Sequence, residues 1–316
     1  MVPRTRLAPS PTGALHLGNA RSFLVNWLLA MQGGWNVVLR IEDLDGPRVK
    51  AGADRSTIDD LTWLGLDWDD GPVYQSERFH QYQAAIDRLI RAGQAYPCVC
   101  SRREIGLAAS APHIGESTSI YPGTCRGRFA SIGEARIKSG REPAIRFRVP
   151  DEIVRFEDRF AGTQSYDATT DLGDFIIAKG DGTPAYQLAV VVDDHEMGIN
   201  RIVRGDDLLD STAKQLLLMD ALYSEFEPPK YFHLPLIVGS DGLRLAKRHG
   251  DSRLSYYRGR GVSVTRVLRL LARWCGIPDF MPACAKELVD RFDLAHVPRH
   301  SIAFTREDER ELFESD

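Results

Sequence analysis

The chain has 316 residues, 43% hydrophobic and 27% charged, with a formal net charge of −4. That length can bury a large core in one elaborated domain or two, and the charge balance excludes a surface coated uniformly for nucleic acid while leaving room for a local basic face. There is no apolar run of ~18 residues to span a membrane and no charged-then-apolar leader, and five cysteines, an odd number, do not make a disulfide scaffold; a cytoplasmic protein away from membranes is the expectation.

Val2–Ala8 reads as a strand ending at Pro9. Residues from about 19 to 32 read as a helix, with Phe23, Trp27 and Ala30 near helical spacing and Gly33-Gly34 closing it. "WNVVLRIED" follows as a buried strand that ends in acids. Strand, helix and strand within about 40 residues form a βαβ unit, which implies a parallel, doubly wound sheet. Two more helices are predicted at about 51–65 and 77–93, separated by the Gly/Pro/Asp-rich "LDWDDGPVY".

From Tyr96 the composition changes. "YPCVCSRREI" brings two cysteines, then comes the loop "AASAPHIGESTSIYPGTCRGR". The short runs "AIRFRV", "IVRFEDRF" and "DFIIAK" read as strands of an inserted β-rich module. "AYQLAVVVDDHEMGINRIVRGDDLLD" returns to α/β character, and "STAKQLLLMDAL" reads as a helix. "YFHLPLIVGSDGLRLAKRHG" reads as a strand, a glycine turn and a basic loop; the tail from about 255 is helical, with "VTRVLRLLARWCG" amphipathic. The expected organisation is a Rossmann-type α/β domain split into 1–95 and 186–240, an insert at 96–185, and a loop with a helical segment at 241–316.

The chemistry points to the first helix. In a βαβ unit ligands sit at the carboxyl ends of the strands, beside the helix N-terminus, whose free N–H groups and positive dipole end suit a phosphate. Gly18 would let a nucleotide approach the backbone. His16 could donate to phosphate oxygens, and Lys247 in "LAKRHG" could meet charge that develops in phosphoryl or adenylyl transfer.

These segments resemble a known family. "APSPTGALHLGNAR" is similar to the HIGH signature of class I aminoacyl-tRNA synthetases in the form used by glutamyl-tRNA synthetases. "LRIEDLD", "WDDGPVYQSERFHQY", "AYQLAVVVDDHEMGINRIVRGDDLLDSTAKQ" and "YFHLPL" follow in that family's order. The second signature, KMSKS, falls on "RLAKR", where Lys247 matches the catalytic lysine and Ala246 replaces the usual serine. Within the family the chain resembles the truncated paralogues, glutamyl-Q tRNA(Asp) synthetases. "RIEDLDGPR" and "RGDDLLDST" are closer to them than to the full enzymes, and no room is expected for an anticodon-binding domain.

The resemblance implies ATP- and Mg²⁺-dependent, RNA-independent activation of L-glutamate and its transfer to the queuosine base of tRNA(Asp), by a monomer. The alternatives are a glutamyl-tRNA synthetase catalytic body that charges the 3′ end of tRNA(Glu), or a silent RNA- or nucleotide-binding paralogue. It assigns His16, Asn19 and Lys247 to catalysis, with Gly18 beside them in ATP binding. It assigns glutamate to Arg6, Leu7, Ala8, Pro9, Ser10, Glu42, Tyr186 and Arg204. Guanidinium suits the side-chain carboxylate and Glu42 the α-ammonium; Arg204 could instead pair with Asp206 or Asp207. Asp43 and Asp45 read as structural. Cys98, Cys100 and Cys125 fit one tetrahedral, structural Zn²⁺, and the resemblance adds Tyr121 as a fourth ligand. Cys275 and Cys284 read as packing residues. "RLAKRHGDSR" and "YYRGRG" set arginines beside aromatics, as RNA contact needs.

Overall fold

A computed structural model describes residues 2–11, 14–44, 46, 49–109, 120–243, 245 and 251–314. Strand β1 (Arg4–Leu7), helix α1 (Leu17–Gly33) and strand β2 (Asn36–Ile41) form the expected βαβ unit, with Leu7 opposite Leu39 in a parallel ladder. Helix α1 starts about two residues earlier than its periodicity suggests. It stops at Gly34, whose φ of 61° lies in the left-handed region that glycine enters without strain.

Helix α2 (Ala53–Leu64) leads to β3 (Asp70–Tyr74), which pairs in parallel with β2. The sequence reading treats that stretch as a connection, because Gly71 and Pro72 disguise it. It is a largely exposed edge strand, where proline is tolerated. Helix α3 (Phe79–Arg91) then enters the segment 96–185 through β4 (Ala95–Cys98), helices α4 (Arg102–Ala109) and α5 (Ile132–Ser139), and strands β5 (Ala144–Phe147), β6 (Ile153–Asp158), β7 (Gly162–Asp167) and β8 (Phe175–Ala178). Strands β4, β5 and β8 make an antiparallel sheet of their own. The β6–β7 hairpin instead extends the second parallel sheet.

That sheet is completed by helix α6 (Tyr186–Glu196), β9 (Arg201–Gly205), helix α7 (Leu209–Leu222) and β10 (Lys230–Leu234), in the strand order β7-β6-β10-β9. Strand β9 adjoins β1: the Asn200 N–H donates to the Arg4 carbonyl at 3.0 Å, and the Arg4 N–H to Asn200 Oδ1 at 2.9 Å. The two parallel sheets thus lie edge to edge. After β11 (Ile237–Val238), the tail carries helices α8 (Leu254–Gly259), α9 (Val264–Trp274) and α10 (Arg306–Phe313). It is not wholly helical, since β12 (Ile302–Ala303) pairs in parallel with β11.

Side-chain alternation along β2 shows why both faces must be covered. Val37, Leu39 and Ile41 enter one core with Leu24 and Leu28 of α1 and Val267 and Leu271 of α9. Val38 points the other way, into a core with Leu89 of α3, Leu188 of α6 and Leu217 of α7. A strand buried on both faces is the signature of a doubly wound sheet. A third, small cluster gathers Tyr96, Cys98, Tyr121, Cys125, Phe129 and Ala135. Among the described residues no helix is long and apolar enough to cross a membrane.

Candidate functional site

An open cleft of about 510 Å³ lies where β1, β2 and β9 end and α1 begins. Of the residues expected to bind or act, Arg6, Ala8, Pro9, Ser10, His16, Gly18, Asn19, Glu42, Tyr186 and Arg204 line it. Leu7 does not. Successive side chains on a strand point to opposite faces, so Arg6 reaches the cleft while Leu7 is fully buried in the core behind it. Lys247, Ala246 and Asp45 lie outside the described residues.

His16 caps α1 with extended backbone, φ −110° and ψ 164°, and the first turn holds no acid. No negative side chain in that turn opposes an anion at this end of the helix. Gly18 faces the cleft; a Cβ there would make only ordinary contact, at 3.5 Å, with His16 and Ile237. The protein itself therefore does not require glycine at 18, and the open space belongs to the cleft. Residues 252–254 return to this turn. The Leu17 N–H donates to the Ser252 carbonyl at 2.9 Å and the Leu254 N–H to the Leu15 carbonyl at 2.8 Å. The start of α8 is thus stitched to the His16 turn.

The floor of the cleft is ionic. Arg40, fully buried on β2, donates to Glu42 Oε1 at 3.0 Å and to Asp194 Oδ1 at 2.6 Å. Arg6 Nε reaches the same Asp194 oxygen at 3.3 Å. Burial pushes the Glu42 carboxyl above the usual glutamate value, against the pull of Arg40 and Arg6. Burial acts on Asp194 too, but Arg40 and Arg6 outweigh it and hold that carboxyl low. Of the two carboxylates only Glu42 lines the cleft, where an ammonium group would favour its charged form.

Arg204 donates through Nε to His233 Nε2 at 2.9 Å and through Nη2 to Thr212 Oγ1 at 2.6 Å. These neutral partners, rather than the acids of the following turn, hold it in place. Asp43 has a structural role: its oxygens accept the Ser76 N–H at 2.8 Å and the Ser76 hydroxyl at 2.6 Å. Sequence reasoning missed Asp194, His233, Asp207, Leu236 and Ile237, of which the last three line the cleft. Signals were present, in acids inside the apolar helix "LAVVVDDHE" and a histidine inside the strand "YFHLPL".

A second cluster lies in the third core. Cys98, Cys100 and Cys125 bring their sulfurs within 4.8 Å of one another, an arrangement that could hold a metal ion. The Tyr121 hydroxyl lies 3.4 Å from Cys98 Sγ and 3.6 Å from Cys100 Sγ, and Cys100 and Cys125 are 3.5 Å apart. Around a tetrahedral zinc, bonds of about 2.3 Å to sulfur and 2.0 Å to oxygen give S···S edges of about 3.8 Å and S···O edges of about 3.5 Å. The donor set fits. Arg146 Nε donates to Cys98 Sγ at 3.2 Å, and its guanidinium carbon lies 3.7 Å from the centre of the Tyr121 ring. Of the other cysteines Cys275 is buried, but Cys284 is exposed at a turn and packs into no core.

The basic tail is partly committed. Arg258 pairs with buried Asp60 at 3.2 Å, while Arg260 sits 5.2 Å over the Tyr256 ring.

Residues 2–308 match the family described as tRNA synthetases class I (E and Q), catalytic domain. A glutamyl-Q tRNA(Asp) synthetase of Symbiobacterium thermophilum is 45% identical, over 96% of both chains. A glutamate–tRNA ligase of Halorhodospira halophila is also 45% identical, over 95% of this chain and 67% of the relative. The crystal structure of a glutamate tRNA ligase from Elizabethkingia meningosepticum, in complex with its amino acid, superposes with a TM-score of 0.81 at 28% identity; the match covers 99% of this chain and 69% of that one.

Proposed function

The chain belongs to the class I tRNA synthetases of the E and Q type, which are ligases, and from that membership we propose that it activates L-glutamate with ATP and transfers it to the queuosine base of tRNA(Asp). The observation that carries the reading is one cleft that holds two guanidiniums, Arg6 and Arg204, and a carboxylate, Glu42, beside a helix N-terminus. A dicarboxylic amino acid needs cations and an anion together, and the phosphates of ATP need the helix end. Relatives of matching length that are named glutamyl-Q tRNA(Asp) synthetase support the RNA half of the proposal.

In this reading Arg204 and Arg6 hold the side-chain carboxylate and Glu42 holds the α-ammonium, with Ala8, Pro9, Ser10 and Tyr186 walling the pocket. The α-carboxylate oxygen attacks the α-phosphorus of ATP in line. The bond to pyrophosphate breaks, and a glutamyl-adenylate anhydride forms. His16, Gly18 and Asn19 cradle the phosphates at the start of α1. Lys247, by resemblance, meets charge that grows in the transition state. Mg²⁺, bound with ATP, would supply positive charge against the pyrophosphate leaving group. A hydroxyl of the queuosine ring then attacks the anhydride carbonyl, and AMP leaves.

Zn²⁺ belongs to the proposal as a structural ion on Cys98, Cys100, Cys125 and Tyr121, four donors that leave no position for water. Its chemistry there is to tie β4 to the loop that carries Tyr121 and Cys125.

The test uses labelled glutamate, ATP and total tRNA, with the label mapped to its nucleotide. Label on the modified anticodon base of tRNA(Asp), with glutamate-dependent pyrophosphate exchange in the absence of RNA, is the expected result. Label at a 3′ end would make the protein a charging enzyme instead. No exchange and no label would make it a silent binder.

A further inference from the structure

We propose that His233 is a positioning residue for Arg204, and that Asp158 acts by fixing which nitrogen of His233 carries its proton. The inference rests on the reading of Arg204 as a ligand for the glutamate side chain.

Three adjacent strands build the relay. Arg204 on β9 lies directly opposite His233 in the parallel ladder with β10, and Asp158 ends β6 on the other side of β10. Asp158 and His233 are essentially unexposed, and neither lines the cleft. Anything they do for the substrate passes through Arg204.

The proton positions follow from donor chemistry. A guanidinium only donates. Arg204 Nε lies 2.9 Å from His233 Nε2, so Nε2 must offer its lone pair and the ring proton must sit on Nδ1. There it donates to Asp158 Oδ2 at 2.6 Å. Asp158 is held in turn, since Oδ1 accepts the N–H groups of Phe160 at 2.8 Å and Ala161 at 2.6 Å. Thr212 Oγ1 takes Arg204 Nη2. With Nε and Nη2 committed, the guanidinium plane cannot turn. Its Nη1 is buried without a hydrogen-bond partner among the described residues, in a side chain that lines the cleft. Nη1 is left for substrate. The opposite tautomer would aim a ring N–H at the Arg204 N–H and release the guanidinium. A buried carboxylate that sets a histidine tautomer is a known way to control a group it never touches.

Asp158→Asn tests this without changing size. The backbone N–H groups of Phe160 and Ala161 keep the amide oxygen, so the amide nitrogen faces His233 Nδ1 and forces the proton to Nε2. Glutamate KM in pyrophosphate exchange should rise at least about tenfold, as expected when a buried charged donor loses its acceptor. ATP KM should stay within about twofold, and the nitrogen signals of isotope-labelled His233 should show the proton moved to Nε2. Adding His233→Gln, whose amide oxygen can accept from Arg204, should recover most of the glutamate KM. A swapped tautomer with unchanged glutamate KM would overturn the proposal. So would a rise shared equally by ATP, or no recovery in the double variant. Arg204→Lys separates the two levels. If it raises glutamate KM and Asp158→Asn does not, only the relay fails. If Arg204→Lys itself leaves glutamate KM unchanged, the reading of the cleft has failed.

Discussion

In the floor of the cleft, charged side chains from neighbouring elements are tied to one another. Arg40 of β2 bridges Glu42 and Asp194 of α6, and Arg6 of β1 leans on the same aspartate. Asp193, the preceding residue of α6, accepts from Gln75, Arg78 and Tyr82 at 2.7, 2.7 and 2.8 Å. In the cysteine cluster three thiols and a phenol face one another, with Arg146 as the cation that touches them. The first arrangement is assembled by the fold and is present before any ligand arrives. The second has no internal reason to bring sulfur atoms together, and it sits in a core too small to stand alone. The contrast separates a preorganised binding floor from a module whose order depends on what its ligands hold.

Removal of metal should expose that difference most strongly. Structural zinc in small modules contributes about 10–16 kcal/mol of apparent folding energy. Chelation should therefore accelerate hydrogen exchange in residues 96–101 and 120–130 while β1 and β2 stay protected, and RNA-free adenylation should persist. Uniform loss of protection across both regions would erase the distinction. Elemental analysis that finds no metal in fresh protein would remove the site.

The floor should yield only to loss of a charge. Arg40→Met keeps much of the volume but leaves Asp194 and Glu42 buried without their shared partner. Breaking one side of such a network costs about 3–5 kcal/mol. Urea melts should show a drop of that size. A change below about 1 kcal/mol would mean that water or Arg6 already satisfies both carboxylates.

How far the sequence foretells these two regions follows from which forces write themselves into local pattern. The βαβ unit, its helix and the cleft residues at the strand ends were legible, because periodicity and position along a strand are local properties. Strand β3 was not, since its pairing with β2 overrides a Gly-Pro pair that reads as a turn. Nor was β7, whose polar "GTQSYD" has no apolar alternation and is held by its hairpin partner. Leu7 reads with its neighbours as part of the pocket, although the two-residue period of a strand sends its side chain to the core. Asp194 and His233 went unassigned because their meaning depends on Arg40 and Arg204, distant in sequence and adjacent only after folding.

A smaller effect is expected from Glu42→Gln. The amide keeps the shape of the side chain and can still accept from Arg40. It loses the charge that faces an α-ammonium, and a charged hydrogen bond of this kind contributes about 1.5–3 kcal/mol. Glutamate KM should rise by roughly 10- to 100-fold, while inhibition by glutarate, which has both carboxylates and no ammonium, should hold. Equal losses for glutamate and glutarate would assign Glu42 to the shape of the floor instead.

The smallest effect is a pH dependence within the floor itself, because its two carboxylates are displaced in opposite directions. Burial raises the Glu42 value, so the folded protein takes up a proton there more readily than the unfolded chain. Asp194 is also buried, but Arg40 and Arg6 hold its value below the ordinary one. By linkage, the Asp194 contribution to stability is complete above its unfolded value and is lost as pH falls through its depressed folded value. For Glu42 the sign reverses: its contribution is present below the unfolded value and is lost as pH rises through the raised folded value. Binding runs against stability at this residue, since only the charged form attracts an ammonium. Acidification from neutrality, in the window just above the ordinary glutamate value of about 4.3, should therefore raise glutamate KM before the protein loses stability. The slope should approach tenfold per pH unit at most, and it should flatten in Glu42→Gln, which has nothing to titrate. A wild-type KM that stays level through that window while the melting temperature falls would place the titrating group elsewhere and leave Glu42 ionised throughout.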